Sequence, residues 1–108
     1  KPQVWYLDLF AGKNDHEAVQ RAGESGHKEI NRTNLSTDQI AEGLKKDVVQ
    51  KQLALIRMRN THKAFSEGAE VAISGGEKSL EIRWEYNSAF VTLYVNFESG
   101  TYTIVESR

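Results

Sequence analysis

Apolar and polar residues alternate through much of the last third of the chain, and this period of two indicates strands with one covered face. Pairs of turn-forming residues separate the apolar runs: Gly75-Gly76, Asn87-Ser88 and Ser99-Gly100. The spacing predicts four antiparallel strands, joined as a meander, near residues 70–74, 79–86, 89–97 and 101–106. The covered face would carry Leu80, Ile82, Trp84, Tyr86, Val91, Leu93, Val95 and Phe97, with Phe90 and Tyr94 on the opposite face.

Two helices are predicted before the meander, because the apolar residues there recur with a period near 3.6. Ser36 and Gln39 have the spacing of a capping box, which favours a helix from about residue 37 to residue 45. A similar signal at Asp47 opens a second helix over residues 48–65, whose two apolar stripes predict a broadly buried surface. Gly68 is expected to end this helix and to mark a boundary between two domains.

The first ten residues suggest a piece of a larger fold. Residues 4–10 are apolar on both alternating faces, as expected of a strand buried on both sides of a parallel sheet. No parallel neighbour follows, and residues 12–34 form a long polar stretch with a short helix opening at Asp15. The apolar run also starts almost at once, without an initiator methionine or a signal-peptide pattern. We therefore expect the chain to be a piece of a longer protein.

Composition argues against several classes of function. With 14 Lys and Arg against 15 Asp and Glu, the chain has no net field that would attract nucleic acid or an anionic membrane surface. No apolar run approaches the roughly 20 residues of a membrane helix. Cysteine is absent, which excludes a disulfide framework and thiolate metal sites in these residues. These features predict a cytoplasmic protein without nucleic-acid or membrane partners.

Short motifs by themselves identify no catalytic site, because the sequence has neither a phosphate-binding loop nor a Gly-x-Ser-x-Gly nucleophile. The three histidines lack metal-ligand spacing; we expect His62 to pack against its surroundings and His16 and His27 to be exposed. Residues 26–32 are the richest in hydrogen-bonding side chains. They fit either a solvated loop or a sugar-binding loop in which Asn31 and Arg32 bind ring hydroxyls.

Four blocks of sequence are distinctive in their length and order. They are QVWYL at residues 3–7, LFAGKND at 9–15, KEINR at 28–32 and VQKQLALIRMRNTH at 49–62. In this order they resemble the C-terminal region of the sucrose phosphorylase subfamily of the α-amylase superfamily. The resemblance runs from about residue 2 to residue 65, and the region after Gly68 fits the family's small C-terminal domain in pattern only.

The resemblance implies an α+β chain of two parts. Residues 1–67 would be the C-terminal remnant of a (β/α)8 catalytic barrel, and residues 68–108 a small antiparallel β-domain. Within the remnant, residues 3–10 would be the last barrel strand, residues 11–36 the loop after it, and residues 48–65 the last helix. Such barrels place their active sites in the loops that follow the strands, so the polar loop would belong to the active site.

The resemblance also implies a reaction, in which an aspartate attacks the glucosyl carbon, a glutamate protonates the leaving sugar, and phosphate accepts the glucosyl unit. Both carboxylates would lie upstream of these 108 residues, and no cofactor or metal is expected. Arg32 matches the arginine that binds the glucosyl unit, with Asn31 beside it as a second candidate. Lys28 and Glu29, preceded by His27, replace the Arg-Asp pair usual in sucrose phosphorylases. The donor therefore stays open among sucrose, sucrose 6-phosphate, glucosylglycerate and glucosylglycerol.

Two further expectations concern the chain by itself. It would be inactive, because both catalytic carboxylates are missing, and it would form a homodimer or larger oligomer through apolar surfaces that the barrel no longer covers. The alternative function, from a different class, is a carbohydrate-binding or protein-interaction module on the meander, with Phe90, Tyr94 and Tyr102 as contact residues. A purely structural role, in which the meander caps the parent barrel, is a third alternative.

Overall fold

In the computed structural model, which describes residues 3–107, helices precede a four-stranded antiparallel sheet. Lys1, Pro2 and Arg108, at the ends of the two predicted domains, lie outside the described residues. The chain divides into two compact units, one ending at Ile56 and the other beginning at Arg57. The helices are α1 Tyr6–Leu9, α2 His16–Ala22, α3 Thr37–Gly43 and α4 Asp47–Thr61, with 3-10 helices at Gly23–Glu29 and Lys63–Phe65.

The predicted meander is confirmed. Its strands are β1 Glu70–Gly76, β2 Ser79–Tyr86, β3 Ala89–Asn96 and β4 Thr101–Glu106, and they lie side by side in chain order. The hairpin between β2 and β3 turns at Asn87 and Ser88, whose φ angles are 47° and 67°. Two consecutive positive φ angles are the signature of the tight turn whose twist matches that of paired strands. This turn therefore fixes the register of the two central strands.

One face of the sheet is apolar, and the pairing register places the predicted residues together on it. Trp84 lies opposite Val91, and Ile82 lies opposite Leu93. The 3-10 helix Lys63–Phe65 packs on this face, with the ring of Phe65 at 5.3 Å from that of Trp84, between centroids. Val91 is 1% exposed as a result. The β1 edge of the same face is open, because its residue Ile73 is 68% exposed.

Two helices begin where the sequence predicts. The capping box of α3 is present: the Gln39 amide donates to Ser36 Oγ at 3.2 Å, and the Ser36 amide donates to Gln39 Oε1 at 2.8 Å. Asp15 opens α2 by accepting a hydrogen bond from the Ala18 amide at 2.8 Å.

Among residues 3–107, no helix combines the length and the apolar character that crossing a lipid bilayer requires.

The second predicted helix is shorter and less buried than expected. It ends at Thr61, because His62 is extended (φ −79°, ψ 132°) and caps the following 3-10 helix through a hydrogen bond from the Ala64 amide to Nδ1. The predicted end near residue 65 is therefore wrong. Within α4, Val49 is the buried residue, and Leu55 on the second apolar stripe is 39% exposed.

Residues 3–10 do not form the predicted strand. Tyr6–Leu9 is a single helical turn, in which the amides of Leu9 and Phe10 donate to the carbonyls of Trp5 and Tyr6 at 2.9 and 3.1 Å. A strand needs a neighbouring strand for its backbone groups, and the sheet within residues 3–107 consists of β1 to β4 alone. The helical turn satisfies these groups locally while Leu7 stays buried at 1% exposure.

Candidate functional site

Arg32 follows the 3-10 helix Gly23–Glu29 and is tied back to the end of it. Its amide donates to the Glu29 carbonyl at 3.1 Å, and its Nη1 donates to Glu29 Oε1 at 3.1 Å. The Arg32 side chain is nevertheless 54% exposed. An arginine has five N–H donors, so one bond to Glu29 leaves most of them for another partner. The Arg32 guanidinium is thus oriented and still accessible.

The carbonyls on both sides of Arg32 are bound by two consecutive aromatic residues. The indole Nε1 of Trp5 donates to the Asn31 carbonyl at 2.8 Å, and the Tyr6 hydroxyl donates to the Thr33 carbonyl at 2.7 Å. These two contacts were not predicted from the sequence. The signal in the sequence was the polar tip that tryptophan and tyrosine carry, since such tips usually find an acceptor when their rings are partly buried.

Further hydrogen bonds tie the same segment to the residues that follow α1. The Thr33 hydroxyl donates to the Lys13 carbonyl at 2.9 Å, and the Asp15 amide donates to the Ile30 carbonyl at 2.7 Å. The long polar loop predicted for residues 12–34 is therefore held at both ends. Asn31 is exposed, and its carbonyl, rather than its side chain, makes the contact to Trp5.

Between these ties the chain folds compactly around Gly26. This glycine is buried in the 3-10 helix, and a Cβ atom on it would collide with the carbonyl group of Val19 in α2. Only glycine allows the 3-10 helix to approach the backbone of α2 this closely. The 3-10 helix was not predicted, because the sequence GESGHKE has no apolar period to reveal it.

The histidines lie as expected. His16 and His27 are exposed, and Lys28 beside His27 is exposed as well. His62 is half-buried, with its Nε2 at 3.2 Å from the Ser107 carbonyl and its ring packed edge-on against Phe65. Among residues 3–107, no three His, Asp or Glu side chains are grouped so that they could hold a metal ion.

The three aromatic residues considered for an independent binding module do not all lie on one face of the sheet. Tyr102 pairs with Val95 of the apolar face, whereas Tyr94 pairs with Thr103 and belongs to the opposite face with Phe90. The ring of Phe90 is covered by the Arg83 guanidinium, whose carbon lies 4.1 Å from the ring centroid. Phe90, Tyr94 and Tyr102 therefore do not form a flat aromatic platform on one face of the sheet.

Comparison with known proteins identifies the relatives of the chain. No family model matches. The sucrose 6(F)-phosphate phosphorylase of Ilumatobacter coccineus is 48% identical over 107 residues, which are 99% of this chain and 20% of the relative. The sucrose phosphorylase of Agrobacterium vitis is 38% identical over 106 residues, which are 98% of this chain and 21% of the relative.

A solved structure agrees with the sequence comparison. The crystal structure of sucrose 6F-phosphate phosphorylase from Thermoanaerobacter thermosaccharolyticum matches with a TM-score of 0.87 at 36% identity, over 99% of this chain and 21% of that one. The fold and the relatives thus place the chain in a class of proteins related to carbohydrate phosphorylases. The chain belongs to the sucrose phosphorylase family and corresponds to a C-terminal part of such an enzyme, as the sequence resemblance predicted. It spans about a fifth of the length of the relatives that it matches.

Proposed function

We propose that the chain is the part of a retaining glucoside phosphorylase that supplies an arginine to the glucosyl-binding site. In the whole enzyme, the extended residues before α1 would end the last strand of a (β/α)8 barrel, and α4 would pack outside it. Residues 1–67 would then complete the barrel and residues 68–108 form the small β-domain. The supporting observation is the accessible Arg32 guanidinium on a segment whose backbone is fixed by hydrogen bonds on both sides.

In the proposed reaction, the catalytic carboxylates come from the rest of the enzyme, and this chain contributes groups that bind the glucosyl unit. An aspartate nucleophile and a glutamate acid/base would come from the remaining four-fifths of the protein, and inorganic phosphate would accept the glucosyl unit. Arg32 would donate its remaining N–H groups to hydroxyls of the glucosyl unit, and Asn31 offers a second donor and acceptor at the same place. A bound sugar oriented in this way reacts faster because fewer motions must be lost at the transition state.

The proposed donor is a glucoside, and sucrose 6-phosphate is the first one to test. Two observations favour it: the 48% identity to a sucrose 6(F)-phosphate phosphorylase, and the exposed Lys28 beside His27 three residues before the candidate site. An ammonium group is a common partner of phosphate in proteins. Sucrose, glucosylglycerol and glucosylglycerate are the competing donors. A cytoplasmic location belongs to the same proposal, supported by the absence of cysteine.

The proposal is tested by joining this chain to the residues that precede the matched region in the Ilumatobacter coccineus relative. We call this protein the fusion. The isolated chain is expected to release no glucose 1-phosphate from any of the four donors above the level of a buffer blank, because the proposed aspartate nucleophile lies outside it. The fusion is expected to be active, and Arg32→Ala is expected to lower its kcat/KM by about tenfold or more, since a hydrogen bond from a charged group is worth about 1.5–3 kcal/mol.

Arg57→Ala provides the matched control, because Arg57 is an exposed arginine of α4 outside the segment that carries Arg32. Its kcat/KM should stay within twofold of the unaltered fusion. Phosphorolysis by the isolated chain would refute the proposal that the nucleophile and the acid/base lie outside this chain. An Arg32→Ala fusion as active as the Arg57→Ala fusion would refute the role of Arg32.

A further inference from the structure

Trp5 and Tyr6 connect the beginning of the described chain to a segment more than twenty residues later. Trp5 reaches the Asn31 carbonyl and Tyr6 reaches the Thr33 carbonyl, at sequence separations of 26 and 27 residues. The residue between the two acceptors is Arg32. Two consecutive side chains therefore bind the carbonyls of the two residues that flank one arginine.

The backbone at Trp5 and Tyr6 explains how neighbouring residues reach acceptors two positions apart. Trp5 is extended, with φ −77° and ψ 139°, and Tyr6 is the first residue of α1. The change from extended to helical backbone spreads the two side chains, whose ring centroids are 5.3 Å apart at an interplanar angle of 44°. Each ring thus presents its polar tip to a different carbonyl.

Burial alone does not account for these hydrogen bonds. Trp5 is 40% exposed and Tyr6 is 37% exposed, so water could serve both polar tips. The acceptors Asn31 and Thr33 lie beside an arginine whose own side chain is 54% exposed. These two hydrogen bonds therefore do not bury a polar group. Their main effect is to restrict the backbone of residues 31–33.

The side chain of Arg32 is restricted from a third direction. Glu29 Oε1 accepts from Nη1 at 3.1 Å, and Glu29 is the last residue of the 3-10 helix that Gly26 packs against α2. A guanidinium held in this way loses little further freedom when a ligand binds, which improves affinity and orientation.

We propose that Trp5 and Tyr6 are positioning residues for Arg32: they hold the carbonyls of Asn31 and Thr33, the residues on both sides of it, so that its guanidinium is presented to the glucosyl unit already oriented. The role rests on the function proposed above for Arg32. Beyond that function, the proposal assigns a role to Trp5 and Tyr6, which would not contact the substrate themselves. Their effect on the reaction would pass through Arg32 alone.

The isolated chain provides a test that requires no activity. Tyr6→Phe keeps the ring and removes the hydroxyl, and Trp5→Phe removes the indole N–H. Each variant is expected to speed hydrogen exchange of the Arg32 amide by about three- to tenfold, the equivalent of one hydrogen bond. Tyr102→Phe is the matched control, because Tyr102 is 54% exposed and lies in the other compact unit. Exchange of the Arg32 amide that is unchanged in both variants would overturn the proposal.

The fusion tests the same role by a double-mutant cycle. Tyr6→Phe is expected to lower kcat/KM by about three- to tenfold when Arg32 is present, and by less than twofold in the Arg32→Ala background, where there is no guanidinium left to position. A merely structural role predicts the same factor in both backgrounds, and that result would overturn the proposal. If Arg32→Ala itself changes nothing, the proposed function fails, and the exchange result above still decides whether Trp5 and Tyr6 order the segment.

Discussion

At the scale of single residues, the hydroxyl of Thr92 in the middle of β3 is a polar group on a fully buried residue. Thr92 is 1% exposed, and Arg83 Nη1 donates to its Oγ1 at 3.2 Å. The same guanidinium donates from Nε to Glu85 at 2.9 Å and covers the ring of Phe90. Arg83 therefore donates a hydrogen bond to a buried hydroxyl, forms an ion pair with a carboxylate and packs on an aromatic ring at the same time.

This arrangement predicts the effect of replacing Arg83. Arg83→Met keeps much of the packing on Phe90 and leaves the Thr92 hydroxyl buried without its donor, which should lower the free energy of unfolding by about 1–3 kcal/mol. Urea unfolding followed by tryptophan fluorescence measures the change. Thr92→Val in the Arg83→Met background should recover part of the loss, because it removes the unsatisfied hydroxyl. If Arg83→Met lowers the free energy of unfolding equally in the Thr92→Val variant and in the unaltered chain, this account is contradicted.

At the scale of elements, the turn between β2 and β3 carries strain at a residue that is not glycine. Ser88 has a φ of 67°, a left-handed conformation that costs an ordinary L-residue roughly 1 kcal/mol. Asn87 before it has the same sign of φ, and asparagine tolerates that conformation better than most residues.

The turn predicts a stabilising substitution. Ser88→Gly creates the preferred Asn-Gly turn and should raise the free energy of unfolding by about 0.5–1 kcal/mol. The control Ser79→Gly changes the same residue type within regular strand β2, where glycine should be destabilising. Thermal unfolding monitored by circular dichroism distinguishes the two. A melting temperature that falls in both variants would show that the turn is not strained.

The same elements show what could be read from the sequence. The meander and the caps of α2 and α3 were predictable, because alternation, turn pairs and capping residues act on near neighbours. The strand expected at residues 4–10 was not, because an apolar run becomes a strand only beside another strand. Arg32 is a candidate that the resemblance alone supplied. The hydrogen bonds of Trp5 and Tyr6 were not predicted, since their acceptors lie more than twenty residues away.

At the scale of the whole molecule, part of the apolar face of the sheet is exposed to solvent. Its exposed side chains are Val71 at 54%, Ile73 at 68%, Phe97 at 56% and Tyr102 at 54%. Contiguous apolar surface of this kind favours association between copies.

We therefore predict that the isolated chain self-associates into dimers or larger species. Ile73→Lys places a charge in the exposed apolar area and should shift the population towards monomer in light scattering over a range of concentrations. Val105→Lys is the matched control on the opposite face, where Val105 pairs with Thr92 and is 45% exposed. An unaltered chain that stays monomeric at high concentration would contradict the prediction, as would equal effects of the two substitutions.

The chain order of the strands has a consequence for how the sheet is made. Each strand is hydrogen-bonded only to its immediate neighbours in sequence, so every closure joins residues a short distance apart and costs little chain entropy. Proteins dominated by such local contacts reach their native topology quickly. Residues 70–106 can accordingly form the sheet one hairpin at a time, because each hairpin joins two strands that follow each other in the chain.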